Sequence, residues 1–157
     1  MRDGDFTIRA ATNNDGPAVR ELIFQILREF NLPPDPEKTD ADLNDIESTY
    51  VKPGGRFDVL VASDGAIIGS VGLHRVDERT IELRKMYLRS SHRGRGLGTT
   101  LLEHALTEAR RLGYARITLE TASQLTTAIG MYTHAGFRPM SGTILTKRCD
   151  QAYELDL

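Results

Sequence analysis

The segment from residue 92 to residue 106 limits the possible folds most, because three glycines come directly before a helix-forming run. Its sequence is HRGRGLGTTLLEHAL, with glycines at Gly94, Gly96 and Gly98. Glycine destabilises ordered structure unless the backbone needs an unusual dihedral angle or another group approaches the main chain closely. Arg93 and Arg95 indicate that the approaching group is an anion. The segment therefore predicts an anion-binding turn at the first amides of a helix.

The rest of the chain predicts strands and helices around this turn. Patterns of period 2 and short β-branched runs predict strands over 6–11, 56–63, 66–76, 80–88, 115–121, 142–149 and 151–157. Apolar residues at helical spacing predict helices over 12–30, 41–50, 97–112 and 124–137. The three strands between 56 and 88 form a predicted antiparallel meander. With 157 residues and 39% hydrophobic content, we expect one α/β domain over 1–157, with a mixed, mostly antiparallel sheet flanked by helices.

Two common phosphate-binding loops do not match the glycine segment. The dinucleotide pattern would need a glycine at Thr99, and the nucleoside triphosphate loop would need a Gly-Lys-Ser/Thr ending.

The formal net charge of -2 gives no general attraction to nucleic acid or to an anionic membrane. The chain has no long apolar span, its first residues lack the apolar core of a signal peptide, and its one cysteine excludes an internal disulfide framework. We expect a soluble cytoplasmic protein.

Three motifs resemble the GNAT acetyltransferases, in the order that this family has them. The run Arg93–Gly98 fits the family's R/Q-x-x-G-x-G/A signature, the preceding ELRKMYL resembles its acyl-CoA-binding strand, and AIGMYTHAGF resembles its late helix. The resemblance implies acetyl-CoA as co-substrate, with its pyrophosphate on the glycine loop and its pantetheine along the strand. The residues implied for this binding are Met86, Tyr87, Leu88, Arg93, Gly94, Arg95, Gly96, Leu97, Gly98 and Thr99.

The resemblance also implies two catalytic residues. Tyr132 lies where the family has a tyrosine that protonates the departing thiolate, although its helical spacing equally fits a core tyrosine. Glu82 lies where several members have a glutamate that deprotonates the amine directly or through water. On a regular strand Glu82 would share one face with Arg84 and with the apolar side chains at 86 and 88. A surface ion pair with Arg84 is the alternative for Glu82, and Glu120 is the competing base.

The family's usual asparagine near the late helix has no obvious counterpart here, and Gln124, Thr126 and Thr127 are the candidates to replace it. The four histidines lack metal-ligand spacing, so no metal site is predicted. Of these, His74 ends a strand beside the expected acceptor cleft, where a structural role is the simpler interpretation. Many GNAT proteins are dimers, so the resemblance allows a homodimer.

The sequence does not identify the acceptor of the acetyl group. The resemblance implies a small-molecule or peptide amine, attacked directly in a ternary complex, and the residues from about 29 to 52 would set the specificity. Acidic residues at 35, 37, 40, 42 and 45 suggest a cationic acceptor, although such a run is usually a solvated surface. The alternative function is a non-catalytic acyl-CoA-binding module of the same fold.

Overall fold

The computed structural model of the chain describes residues 5–141 and 148–157. Within them, seven strands form one sheet in the spatial order β1-β2-β3-β4-β5-β7-β6. The strands are β1 Phe6–Ala10, β2 Arg56–Ala62, β3 Ile67–Arg75, β4 Thr80–Leu88, β5 Arg116–Thr121, β6 Arg138–Pro139 and β7 Gln151–Asp156. The α-helices are α1 Gly16–Glu29, α2 Leu97–Arg111 and α3 Thr126–His134. The predicted α/β fold, with its mixed and mostly antiparallel sheet, is confirmed.

The sheet is antiparallel except where β4 pairs with β5. The chain joins these two parallel strands through the glycine loop and α2, as a parallel connection requires. Their pairing ends at Leu83 and Leu119, whereas β4 continues to Leu88. The far half of β4 therefore has an edge that β5 does not cover.

Apolar side chains form two cores, one on each face of the sheet. Buried residues of α2, including Leu101 and Ala105, pack on one face together with residues from the centre of the sheet. Buried residues of α1, including Ile23 and Leu27, pack on the other face. Each helix thus buries one apolar stripe and leaves its polar side to solvent, which fixes its position over the sheet.

The structure differs from the sequence-based prediction in two segments. The predicted helix at 41–50 is a 3₁₀ turn at Ala41–Asn44 followed by a π-helical turn at Glu47–Val51, because Asp45 between them caps the amide of Ser48. The predicted strand at 142–149 lies mostly outside the described residues, and its last two residues are not in a strand. The two-residue strand β6 was not predicted.

A β-bulge at Lys85 changes which side chains of β4 share a face. The pairing moves from Arg84 opposite Gly72 to Tyr87 opposite Ser70, so β4 has one extra residue there, and Lys85 adopts a φ of 54°. A bulge reverses the alternation of side chains beyond it. The prediction that Glu82 and Arg84 share a face with Met86 and Leu88 was therefore wrong, because both apolar side chains pack against the α2 core.

Candidate active site

A cavity of about 880 Å³ lies where β4 and β5 separate. Its walls come from the far half of β4, the end of β5, the glycine loop, α3 and the end of α1. Arg148 and Cys149 line it as well, although the sequence did not identify them as site residues. The open edge of β4 thus faces a space large enough for a ligand of several hundred cubic ångströms.

The glycine loop forms one end of this cavity, and its backbone explains the glycines. Gly94 and Gly96 have φ values of 79° and 78°, in the left-handed region that glycine adopts without strain. A β-carbon at Gly98 would lie 3.1 Å from the sulfur of Met131, a tight contact that this flexible side chain would have to relieve by a small shift. The loop therefore presents the first turn of α2 to the cavity without intervening side chains, as an anion-binding turn requires.

The two loop arginines differ in their positions. Arg93 lines the cavity, donates from Nε to the carbonyl of Leu88 at 3.0 Å, forms an ion pair with Glu29 and lies 5.3 Å from the ring centre of Phe30. Arg95 is exposed and does not contribute to the cavity wall. The structure thus holds Arg93 in place, whereas Arg95 can add positive charge only from the solvent side.

Among the other predicted binding residues, some line the cavity and one does not. Met86, Tyr87, Leu88 and Thr99 line the cavity. Leu97 instead is 3% exposed and packs in the core under α2, so only its backbone could face a ligand at the loop. Burial raises the pKa of Tyr87 to about 12, which keeps this phenol protonated at neutral pH.

Tyr132 lines the cavity while its ring is part of the core. It is 5% exposed, and its ring centre lies 5.7 Å from that of Phe137. The two interpretations of this residue are therefore compatible, since the ring packs and the residue still borders the cavity. Burial raises the pKa of Tyr132 well above its usual value, so the phenol keeps its proton at neutral pH.

Glu82 and Glu120 both line the cavity, from β4 and β5 respectively. Glu82 forms an ion pair with Nε of Arg84, as the structural alternative proposed. It also remains 15% exposed, so the pairing and a role as base are compatible. The assignment of the base to Glu82 stays a prediction.

A buried ionic cluster supports the cavity beside the bulge. The Asp40 side chain is 0% exposed and accepts two hydrogen bonds from the guanidinium of Arg148, at 2.8 and 3.0 Å. Nζ of Lys85 lies 3.2 Å from the same carboxylate and donates to the carbonyl of Thr39 at 3.2 Å. Burial by itself would raise the pKa of Asp40, but these bonds and charges bring it below its usual value.

Most of the acidic residues that suggested a cationic acceptor have structural partners. Asp35 and Asp45 accept hydrogen bonds from amides of their own segment, and Asp42 accepts one from the hydroxyl of Tyr50. Asp40 holds the ionic cluster. Their contacts account for these four acids without a ligand, so they do not indicate a cationic acceptor.

The model of the acetyltransferase (GNAT) family matches residues 20–137 of the chain, which is more than half of its length. The chain belongs to the GNAT family. It is 35% identical over 135 residues to the uncharacterized N-acetyltransferase YjgM of Escherichia coli, a match that covers 83% of this chain and 80% of that protein. As a GNAT protein it is an acetyl-CoA-dependent N-acetyltransferase.

Two solved structures agree with this fold. A GNAT acetyltransferase from Staphylococcus aureus superposes with a TM-score of 0.89 at 25% identity, covering 96% of this chain and 98% of that one. A phosphinothricin acetyltransferase from Sinorhizobium meliloti, solved with acetyl-CoA, superposes with a TM-score of 0.75 at 18% identity, covering 98% and 89%. The GNAT architecture therefore extends over almost the whole chain.

Three further observations on this GNAT chain concern the replacement for the family's asparagine, membrane spans and metal ligands. Of the three candidates for the missing asparagine, Thr127 lines the cavity, whereas Gln124 and Thr126 do not. Among the described residues, every helix is too short or too polar to cross a membrane. The same residues contain no group of three or more His, Cys, Asp or Glu side chains placed to hold a metal ion.

Proposed function

We propose that this protein transfers the acetyl group of acetyl-CoA to a primary amine of a small molecule or peptide, by direct attack in a ternary complex. The observation that supports it best is that the open edge of β4, the glycine loop, Glu82 and Tyr132 all border the same cavity. The pair of residues is suited to opposite proton transfers, one as carboxylate base and the other as neutral phenol acid.

The binding role of the chain follows from its backbone. The amides at the start of α2 are unpaired within the helix and carry its positive dipole end, so they suit a pyrophosphate. The β4 edge beyond Leu83 offers main-chain hydrogen bonds to an extended ligand, because β5 has separated from it there. Pantetheine amides would pair with the backbone of Met86, Tyr87 and Leu88, which face the cavity.

The chemical step needs two proton transfers around one acyl transfer. Acetyl-CoA supplies an acetyl thioester. The amine nitrogen forms a bond to the acyl carbon as the carbon–sulfur bond breaks, Glu82 takes the proton that the amine loses, and Tyr132 gives a proton to the departing sulfur. Each transfer requires hydrogen-bond reach of the reacting atom, which placement on the wall of one cavity permits.

We expect the loop arginines to contribute to CoA affinity. CoA should raise the thermal midpoint of the protein, and both Arg93→Ala and Arg95→Ala should reduce that rise, since each removes positive charge near the pyrophosphate. Loss of one charge-assisted contact, about 1.5 kcal/mol, would weaken CoA binding about tenfold. Thermal shift measurements with CoA and with pantetheine, each relative to the same variant without ligand, check this.

Pantetheine serves as the control because it lacks the pyrophosphate. Its effect should be the same in wild type and in both variants, even though Arg93→Ala also loses the contact with Leu88. Equal stabilisation of the wild type by CoA and by pantetheine would contradict the proposed anion-binding role of the loop.

The experiment that tests the proposed function measures release of free CoA thiol from acetyl-CoA with a panel of amines, for the wild type and for Glu82→Gln. We expect release that depends on the amine. The variant should be slowest relative to wild type near neutral pH and closer to it at alkaline pH, where the amine loses its proton without a base. Glu120→Gln, on the neighbouring strand, is the matched control and should keep the wild-type profile.

The outcomes separate the alternatives. A non-catalytic module would be stabilised by CoA and yet release no thiol above background. If the pH–rate profile of Glu82→Gln is unchanged in shape and height, Glu82 has no role in the mechanism. If Glu120→Gln instead loses activity near neutral pH, the base is Glu120.

A further inference from the structure

We infer that the acceptor is an α-amino acid, with its amine at Glu82 and its carboxylate at the guanidinium of Arg84. This inference rests on the proposed function, in which Glu82 receives the amine. It starts from the ion pair between these two residues, which are both on the cavity wall and on the same face of β4 before the bulge.

Arg84 is the cation of this wall best placed to bind an anion. Its side chain is 37% exposed, and the ion pair with Glu82 uses Nε rather than the terminal nitrogens. The hydroxyl of Tyr50 also interacts with this guanidinium, so a ligand carboxylate would share it with Tyr50. Nearby carboxylates raise the pKa of Arg84 although burial opposes this. Its guanidinium therefore stays charged, and guanidinium binds carboxylate with two parallel hydrogen bonds.

The other cations near this end of the cavity are already engaged. Lys85 and Arg148 are 7% and 9% exposed and hold Asp40, which lies behind them and is fully buried. Both residues line the cavity, whereas Asp40 and Asp42, the two carboxylates that balance their charges, do not. Lys38 also lines the cavity, and its charge disfavours an acceptor with a second positive charge.

An α-amino acid is complementary to the Glu82–Arg84 pair. Its ammonium and carboxylate groups are attached to one carbon, so they can insert between two adjacent opposite charges and replace one ion pair by two. Both partly exposed side chains then remain paired with an opposite charge, which limits the desolvation cost. The same arrangement would hold the amine against Glu82, where the proton has to leave.

The test compares acceptors that differ in the carboxylate alone. Thiol release from acetyl-CoA is measured with the proteinogenic L-amino acids, with their carboxamides and with the corresponding decarboxylated amines. We expect the best free acid to exceed its amide in kcat/KM about tenfold to hundredfold, as loss of a hydrogen bond to a charged group implies. Since amidation makes the amine less basic, easier deprotonation cannot produce this preference.

Arg84→Gln should remove that preference. Because Arg84 also pairs with Glu82, both acceptors can be affected, and we expect kcat/KM for the free acid to fall about tenfold to hundredfold more than kcat/KM for the amide. Arg84→Lys keeps the charge and loses the paired hydrogen-bond geometry. Its preference for the free acid over the amide should lie between those of the wild type and Arg84→Gln, and it replaces Arg84→Gln in the test if that variant is unfolded. Arg116→Gln is the matched control, because Arg116 lies on β5 in a surface pair with Glu154, and it should behave as the wild type.

Two results would overturn the inference while leaving the proposed function intact. One is acetylation of amides or decarboxylated amines at least as efficient as that of the acids. The other is an equal loss for acid and amide in Arg84→Gln. Absence of thiol release with every amine would instead contradict the proposed function itself.

Discussion

Replacing Tyr132 by phenylalanine should lower kcat at least about 100-fold, the lower range for loss of a general acid. The substitution keeps the ring that packs against Phe137 and removes the hydroxyl group. This phenol is protonated at neutral pH, as a proton donor to the departing sulfur must be, and burial raises its pKa further. CoA-induced stabilisation should be unchanged, since the proposed contacts of the cofactor lie on β4 and the glycine loop.

Steady-state kinetics with an acceptor for which chemistry limits the rate provide the measurement, because slow product release would mask a slower chemical step. A core tyrosine without a chemical role gives the opposite pattern, with about 1 kcal/mol less stability and nearly normal turnover. Tyr87→Phe is a matched control, as Tyr87 is a half-buried phenol on the same cavity wall and its proposed contact with CoA is made by its backbone. A near-normal kcat in Tyr132→Phe would mean that water or another side chain protonates the sulfur.

The sequence predicted the glycine loop well because its signal is local. Positive φ values at Gly94 and Gly96 and the close approach at Gly98 all limit the residue type at the position itself. The strands around it follow from short-range alternation in the same way. For that reason the cavity end formed by the loop, the β4 edge and the late helix could be expected before the structure.

The end of the cavity near Lys85 and Arg148 could not be predicted, because its geometry depends on long-range contacts. Arg148 reaches Asp40 across 108 positions of the chain, and Lys85 reaches it from β4. No pattern in the neighbouring sequence of any of the three residues specifies this meeting. The bulge at Lys85 also could not be predicted from the sequence, because a lysine does not indicate a positive φ. The bulge places the side chains of Met86 and Leu88 on the face opposite to Glu82 and Arg84.

The charged residues beside the cavity have different surroundings, and we expect different roles for them. Glu82 and Arg84 are partly exposed on the cavity wall and can exchange their mutual contact for a ligand. Asp40 has its carboxylate fully enclosed by partners from three segments of the chain, so exchange there would leave a buried charge. The cluster around Asp40 should therefore contribute to stability, and the exposed pair to recognition.

The substitution Asp40→Asn should accordingly lower the free energy of unfolding by about 3 to 5 kcal/mol, the usual cost of removing one partner from a buried ion pair. It leaves the guanidinium of Arg148 without its carboxylate partner and leaves the ammonium of Lys85 with Asp42 alone, 3.4 Å away. Urea unfolding followed by circular dichroism measures this loss. Asp64→Asn is the matched control, because Asp64 accepts a hydrogen bond from the amide of Ala66 in an exposed turn, and it should lose about 1 kcal/mol.

The pH dependence of stability gives an independent check on the same carboxylate. The pKa of Asp40 in the folded protein lies below its usual value, so the folded state binds this proton less readily than the unfolded chain does. The contribution of Asp40 should be complete above the unfolded pKa, about 4, and should be lost as the pH falls through the folded pKa. Asp40→Asn should lack that part of the acid destabilisation, so its deficit relative to wild type should shrink at low pH. A deficit that stays constant as the pH falls, or a loss no larger than that of Asp64→Asn at neutral pH, would show that the cluster does not stabilise the wall of the cavity.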